Sequence, residues 1–226
     1  MPTDQTGTFD ALKGHNSDNI RKMLEMAVFL APYPTAPTLS TITDATGQNL
    51  VIPDVYKSVG MTSKDDGATW TPNLDISETG AYGYGAPVRR DAQARALSLG
   101  FTMLESKRLV FEVYNGIDLA AVQAPVGKTE VGWSAPSRPD TRYWRCLAIG
   151  RDGQGANSIY HVEYLPKVTL TDVSELTWSE TDPETYGVTL SAEVDPVMGT
   201  AQRTFWAGPG FTVARLTAMG FTQASA

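Results

Sequence analysis

The chain is poor in the residues from which most enzymes and metal sites are built. Its 226 residues include one cysteine, Cys146, so no intrachain disulfide can form, which fits assembly in a reducing cytoplasm. Two histidines, His15 and His161, together with that single thiol are too few for a zinc site. No apolar run approaches the roughly 18 residues that a membrane-crossing helix needs. The longest, Met26–Pro32, is far shorter, and no membrane partner is expected. The chain opens on Thr, Asp and Gln rather than on a basic segment followed by an apolar one, so no secretory signal is expected. Positive charge is also scarce. Eighteen Lys and Arg against 25 Asp and Glu give a net charge of -7, which argues against a protein that grips nucleic acid by neutralising phosphates.

Catalytic constellations are missing too. His161, between Tyr160 and Val162, reads as a strand residue, and Ser158 three positions away supplies no triad geometry. Asp65-Asp66-Gly67 lacks the alternating oxygen ligands of a calcium loop and reads as a turn. The glycines from Gly80 to Gly85 are not followed by Lys-Ser/Thr, so a phosphate cradle is not expected. Glu180 and Asp182 resemble the paired acids of a glycosidase only in type, and an acidic surface explains them as well. The five tryptophans (Trp70, Trp133, Trp144, Trp178 and Trp206) suit core or subunit-contact positions better than sugar stacking. No catalytic residue, metal or cofactor is expected.

What the sequence has is period two. Leu97, Leu99, Phe101 and Met103 alternate with small residues, although Ala92–Leu97 is rich in helix formers. Similar alternation runs over Tyr143–Ile149 and Tyr186–Val194, and Gln202–Trp206 reads as a last strand. After Glu105 the spacing becomes helical through Leu109, Val113 and Ile117, with Ser106 able to cap the start and Gly116 the end, although a strand over Leu109–Tyr114 is also possible. This predicts a mainly β domain over residues 31–226 with one helix at about 105–115. Residues 1–30 read as an arm in which Asn16-Ser17-Asp18 caps a helix from Ile20 to Leu30. Val59–Tyr84 reads as a long irregular loop. Eight acids lie between Glu163 and Asp195, with Lys167 the only base among them.

The order and spacing of several segments resemble the major tail proteins, or tail tube proteins, of long-tailed bacteriophages. The segments are Tyr82–Leu119 (YGYGAPVRRDAQARALSLGFTMLESKRLVFEVYNGIDL), Arg138–Arg145 (RPDTRYWR), Leu165–Val168 (LPKV) and Thr200–Gly210 (TAQRTFWAGPG). The resemblance spans about Val51–Phe211, and no single piece of it is diagnostic. It implies a β-sandwich or half-barrel with one flanking helix and a virion protein that self-assembles into stacked hexameric rings. The rings form the conduit for DNA ejection into the host, through which DNA passes without tight binding. Implied partners are copies of itself, the tape-measure protein and tail-completion proteins.

Within that frame, Arg89, Arg90 and Asp91 are candidate subunit-interface residues. Glu193, opposite the apolar face of its strand, is a candidate lumen-facing acid. Two rivals stand beside this reading. A carbohydrate-binding β-sandwich module predicts clustered exposed Trp and Tyr, and a hydrolase predicts a pocket of converging acids.

Overall fold

The alternating segments become neighbouring strands of one antiparallel sheet. The computed structural model describes residues 6–138 and 140–224, so the first five residues of the expected arm and Pro139 lie outside it. In chain order it contains α1 (Phe9–Leu12), β1 (Glu25–Pro32), β2 (Lys57–Ser58), β3 (Ala68–Thr79), β4 (Arg89–Met103), α2 (Arg108–Asn115), β5 (Tyr143–Asp152), β6 (Ile159–Val173), β7 (Tyr186–Ala192), β8 (Arg203–Ala207) and α3 (Val213–Ala218). The strand order is β2-β1-β5-β6-β7-β4-β3, with β8 also on β6. One edge of the long β6 therefore pairs first with β8 and then with β7. Register shifts between Trp144 and Cys146, and between Leu170 and Asp172, bend the sheet there, as bulges do.

The bend makes a half-barrel with two cores. Inside it, Val28, Leu30, Leu99, Met103, Cys146, Leu165 and Leu190 are buried together. On the opposite face of β5 and β6, Leu147, Val162 and Tyr164 are covered by the chain between β1 and β2 through Ala36, Leu39, Ile42 and Tyr56. Cys146 has no exposed surface, and burial pushes its thiol up to about 12. The expected helix is present and lies on the inner core through Val110 and Val113. Gly116, at φ 65°, ends it in the left-handed conformation that glycine adopts without strain.

Three expectations are corrected. Ser106 does not cap α2; Lys107 occupies that position, without a side-chain hydrogen bond. Asn16 does cap a turn, Ser17–Asn19, but no helix follows over Ile20–Leu30. Residues 25–30 of the expected arm belong to β1, paired with β5 from Glu25↔Arg151 to Pro32↔Trp144. Burial of Val28 and Leu30 between strands outweighs a helix preference of a few tenths of a kcal/mol per residue. Finally, the expected loop over Val59–Tyr84 contains β3, twelve residues paired along β4. Pro72 is tolerated because β3 is an edge strand. Of the irregular lengths that remain, residues 59–67 and 80–84, the first runs past the end of β4, where Glu105 accepts the Met61 N–H at 2.7 Å. Gly60 passes so close to that carboxyl group that a Cβ would lie 2.4 Å from Glu105 Oε1.

The two cores are joined by a buried ion pair. Arg145 donates to the carbonyls of Ala36 (3.0 Å) and Pro166 (2.7 Å) and to Asp195 Oδ2 (2.7 Å). Asp195 also accepts the N–H groups of Val197 and Met198. Burial pushes the Asp195 carboxyl up, but Arg145 and the two N–H groups outweigh it and hold it below the usual range. Its contribution to stability is therefore complete above the unfolded value of 3.8 and is lost as pH falls through the lower folded value. Asp195→Asn, which strands a buried guanidinium, is expected to cost about 3–5 kcal/mol in urea unfolding of the monomer at neutral pH.

Candidate functional site

The hairpin of β3 and β4 outgrows the body of the protein. From Met103 back to Leu97, alternate residues of β4 are buried; from Ala96 to Arg89 every residue is exposed. The matching length of β3, from Thr71 to Thr79, is exposed almost throughout. Neither face of this outer ribbon is covered, although it carries Leu74, Ile76 and Val88, and Tyr82 and Tyr84 stand fully or largely exposed at its tip. A two-stranded ribbon has little stability of its own in water.

The expected interface residues sit at the outer end of that ribbon. Arg89 makes a forked pair with Asp91 (2.7 and 3.0 Å), and Arg90 reaches across the hairpin to Glu78 (2.7 Å). All four side chains are about half or more exposed, so these pairs add at most about 1 kcal/mol each. Gly80–Gly85 forms the turn region between two strands, a setting unlike the strand-to-helix turn of a phosphate loop.

Beside the ribbon root, one face of the sheet is open and made of small polar residues. Register places Thr69 and Thr71 of β3, Ser98, Gly100 and Thr102 of β4, and Thr189 and Ser191 of β7 side by side. Thr169 and Asp172 of β6 continue the surface. None of these residues is a Lys or Arg. Glu193 follows the end of β7 at the margin of this face, and its carboxylate accepts from Lys167 Nζ at 2.6 Å. That bond raises the Lys167 pKa.

The acids between Glu163 and Asp195 separate into groups. Asp195 belongs to the buried pair, and Glu163 is buried among His161, Gln202 and Thr204. Burial pushes the Glu163 carboxyl up, yet those three bonds win and hold it below the usual range. His161 also stacks flat on Trp206, with ring centroids 4.2 Å apart, and is part of the strand framework. Glu175, Glu180, Asp182 and Glu184 are carried by the connection between β6 and β7. Asp182 accepts from Ser179 and Thr181 on this exposed segment. Among the described residues no group of three or more His, Cys, Asp and Glu is placed to hold a metal ion.

A family model for phage tail tube proteins matches residues 13–212. The chain belongs to the phage tail tube protein family. Its mainly β, unclosed antiparallel sheet with a flanking helix is the architecture expected from the sequence. As a tail tube protein it is a structural part of a virion tail, and family membership implies self-assembly and association with other tail components. Similar solved structures include a chain of the anti-feeding prophage baseplate, at 10% identity and TM-score 0.40, covering 81% of this chain and 93% of that one. An Hcp protein aligns at 8% identity and TM-score 0.31, covering 80% and 97%. No curated protein sequence matches the chain.

The most exposed aromatic residues are carried by different elements: Trp178 is on the β6–β7 connection, and Tyr82 and Tyr84 are at the ribbon tip. Trp144 is core, and Trp133 lies tilted against Phe111 (ring centroids 5.1 Å), which meets Tyr186. Since the ribbon pairs are solvent-exposed, Arg89→Ala and Arg90→Ala are each expected to change monomer unfolding free energy by less than about 1 kcal/mol. Chemical denaturation of the two variants checks this.

Proposed function

We propose that this tail tube protein closes into hexameric rings, that the rings stack, and that the resulting tube carries DNA out of the virion into the host. The observation that carries this reading is the outer ribbon, an extended element with both faces uncovered beside a sheet whose edge strand is free. A head-to-tail contact between different surfaces closes into a ring, whereas ring-on-ring stacking repeats without closing. Pairing β3 with a neighbouring copy removes an edge that would otherwise invite aggregation. The ribbon, with Arg89, Arg90 and Asp91 near its tip, supplies contacts in the stacking direction. At such a contact the ion pairs fix register more than they add affinity.

The open face is assigned to the lumen. Hydroxyls and glycines offer moving DNA no cation, Lys167 at the margin is occupied by Glu193, and Asp172 repels phosphate at short range. Salt confines that repulsion to about 8 Å at physiological ionic strength. DNA is thus a passing cargo. The lasting partners are other copies of the chain, with the tape-measure protein inside the tube and tail-completion proteins at its ends.

Two measurements test the proposal. Amide hydrogens of residues 71–79 and 89–96 are expected to exchange rapidly in the monomer and slowly in the tube; equal protection in both states counts against the ribbon as a stacking element. Glu193→Lys, which places a second cation beside Lys167, is expected to leave tube assembly intact and to slow DNA ejection. Ejection at the normal rate removes Glu193 from the lumen.

A further inference from the structure

One groove of this acidic protein has a basic rim. It encloses about 920 Å³ between the first turn of α2, the ends of β1 and β5, and the chain around β2. Four cations line it (Lys57, Lys107, Arg108 and Arg142), against one acid, Glu112. Its wall is apolar and aromatic, with Leu109, Val55 and Tyr143 contributing. Three of the cations have an acidic neighbour within the chain: Lys107 with Glu105 (2.6 Å), Arg108 with Glu112 (3.5 Å) and Arg142 with Asp118 (3.5 Å). At least one partner in each pair is substantially exposed, so exchange for another carboxylate costs little.

The counterpart of this groove is on the same molecule. The connection between β6 and β7, residues 174–185, reads SELTWSETDPET and carries four acids and no base. At its centre Trp178 is 86% exposed, and Leu176 is exposed beside it. An uncovered indole flanked by carboxylates matches a hollow with an apolar wall and a rim of ammonium and guanidinium groups. Trp is also among the residues that most often anchor interfaces. In the monomer no residue of the segment lines the groove. Its start is tied to α2 by Tyr114 Oη, which donates to the Ser174 carbonyl, and Trp178 Nε1 donates to Glu184 within the segment itself. A donor surface and an acceptor surface at different places on one chain are what a head-to-tail contact needs.

We infer that residues 174–185 of one copy dock in the groove beside α2 of the next, with Trp178 in the hollow and Glu175 and Glu180 facing the basic rim. This rests on the self-assembly reading and names the surfaces that join neighbours within a ring. The acids of this segment are thereby committed to protein contacts and do not face DNA.

The test compares the critical concentration for assembly of wild type, Trp178→Ala and the double variant Lys57→Glu/Arg108→Glu, measured by sedimentation and electron microscopy. Each variant is expected to raise it by at least about tenfold, the usual consequence of removing an interface anchor, with the monomer still folded at the assembly temperature. A peptide of residues 174–185 is expected to bind wild-type monomer, less tightly as salt rises, and to bind the double variant at least tenfold more weakly. Failure of the wild type to form rings or tubes rejects self-assembly itself. Normal wild-type tubes, with either variant assembling at the wild-type concentration or with the peptide bound equally by both forms, overturn the docking assignment alone.

Discussion

A guanidinium inside a β-sheet protein is expensive unless its donors and its charge are both answered, and the fold of this chain is arranged around meeting that demand. Arg145 lies where β5 and β6 lose register, so the bend in the sheet and the binding of the cation occupy one place. Its acceptors come from three stretches far apart in sequence: the cover over the outer core, the bulged length of β6 and the turn after β7. Two of these stretches are irregular at their point of contact, and the third lies at the register shift between β5 and β6. The cation therefore fixes relative positions that strand pairing alone leaves free. Replacing such a group by apolar side chains is often neutral or stabilising in other proteins, so its value here is in geometry as much as in energy.

Much of the central sheet was legible because its residues report a single environment. Leu97–Met103 and Tyr186–Leu190 face one core and one open side, and period two follows directly. Gly116 likewise announced a helix end through a backbone requirement that few other residues meet. The readable signals failed where tertiary contacts decide. Leu24-Glu25-Met26-Ala27 favours helix by composition, yet the slot beside β5 makes it lead into a strand. In β3, Pro72 and the turn before it hid an alternation of Trp70, Leu74 and Ile76 that was present all along.

The candidate site was less readable for a related reason. Acids spaced along Glu163–Asp195 look alike in sequence, but sheet register and bulges send them to different environments. Glu163 and Asp195 lie in the interior, Asp172 on the hydroxyl face and four others on a projecting connection. Composition alone registers only their sum. The basic groove was invisible altogether, because Lys57, Lys107 and Arg142 are brought together only when β2, α2 and β5 meet.

The silent thiol of Cys146 has a practical corollary. Since the only sulfhydryl is sealed within the inner core, a cysteine introduced anywhere on the exterior becomes the sole nucleophile that a maleimide reagent meets. Each subunit then offers one addressable attachment point. A cylinder assembled from such subunits is a ruler whose graduations are set by the lattice rather than by the chemistry of labelling.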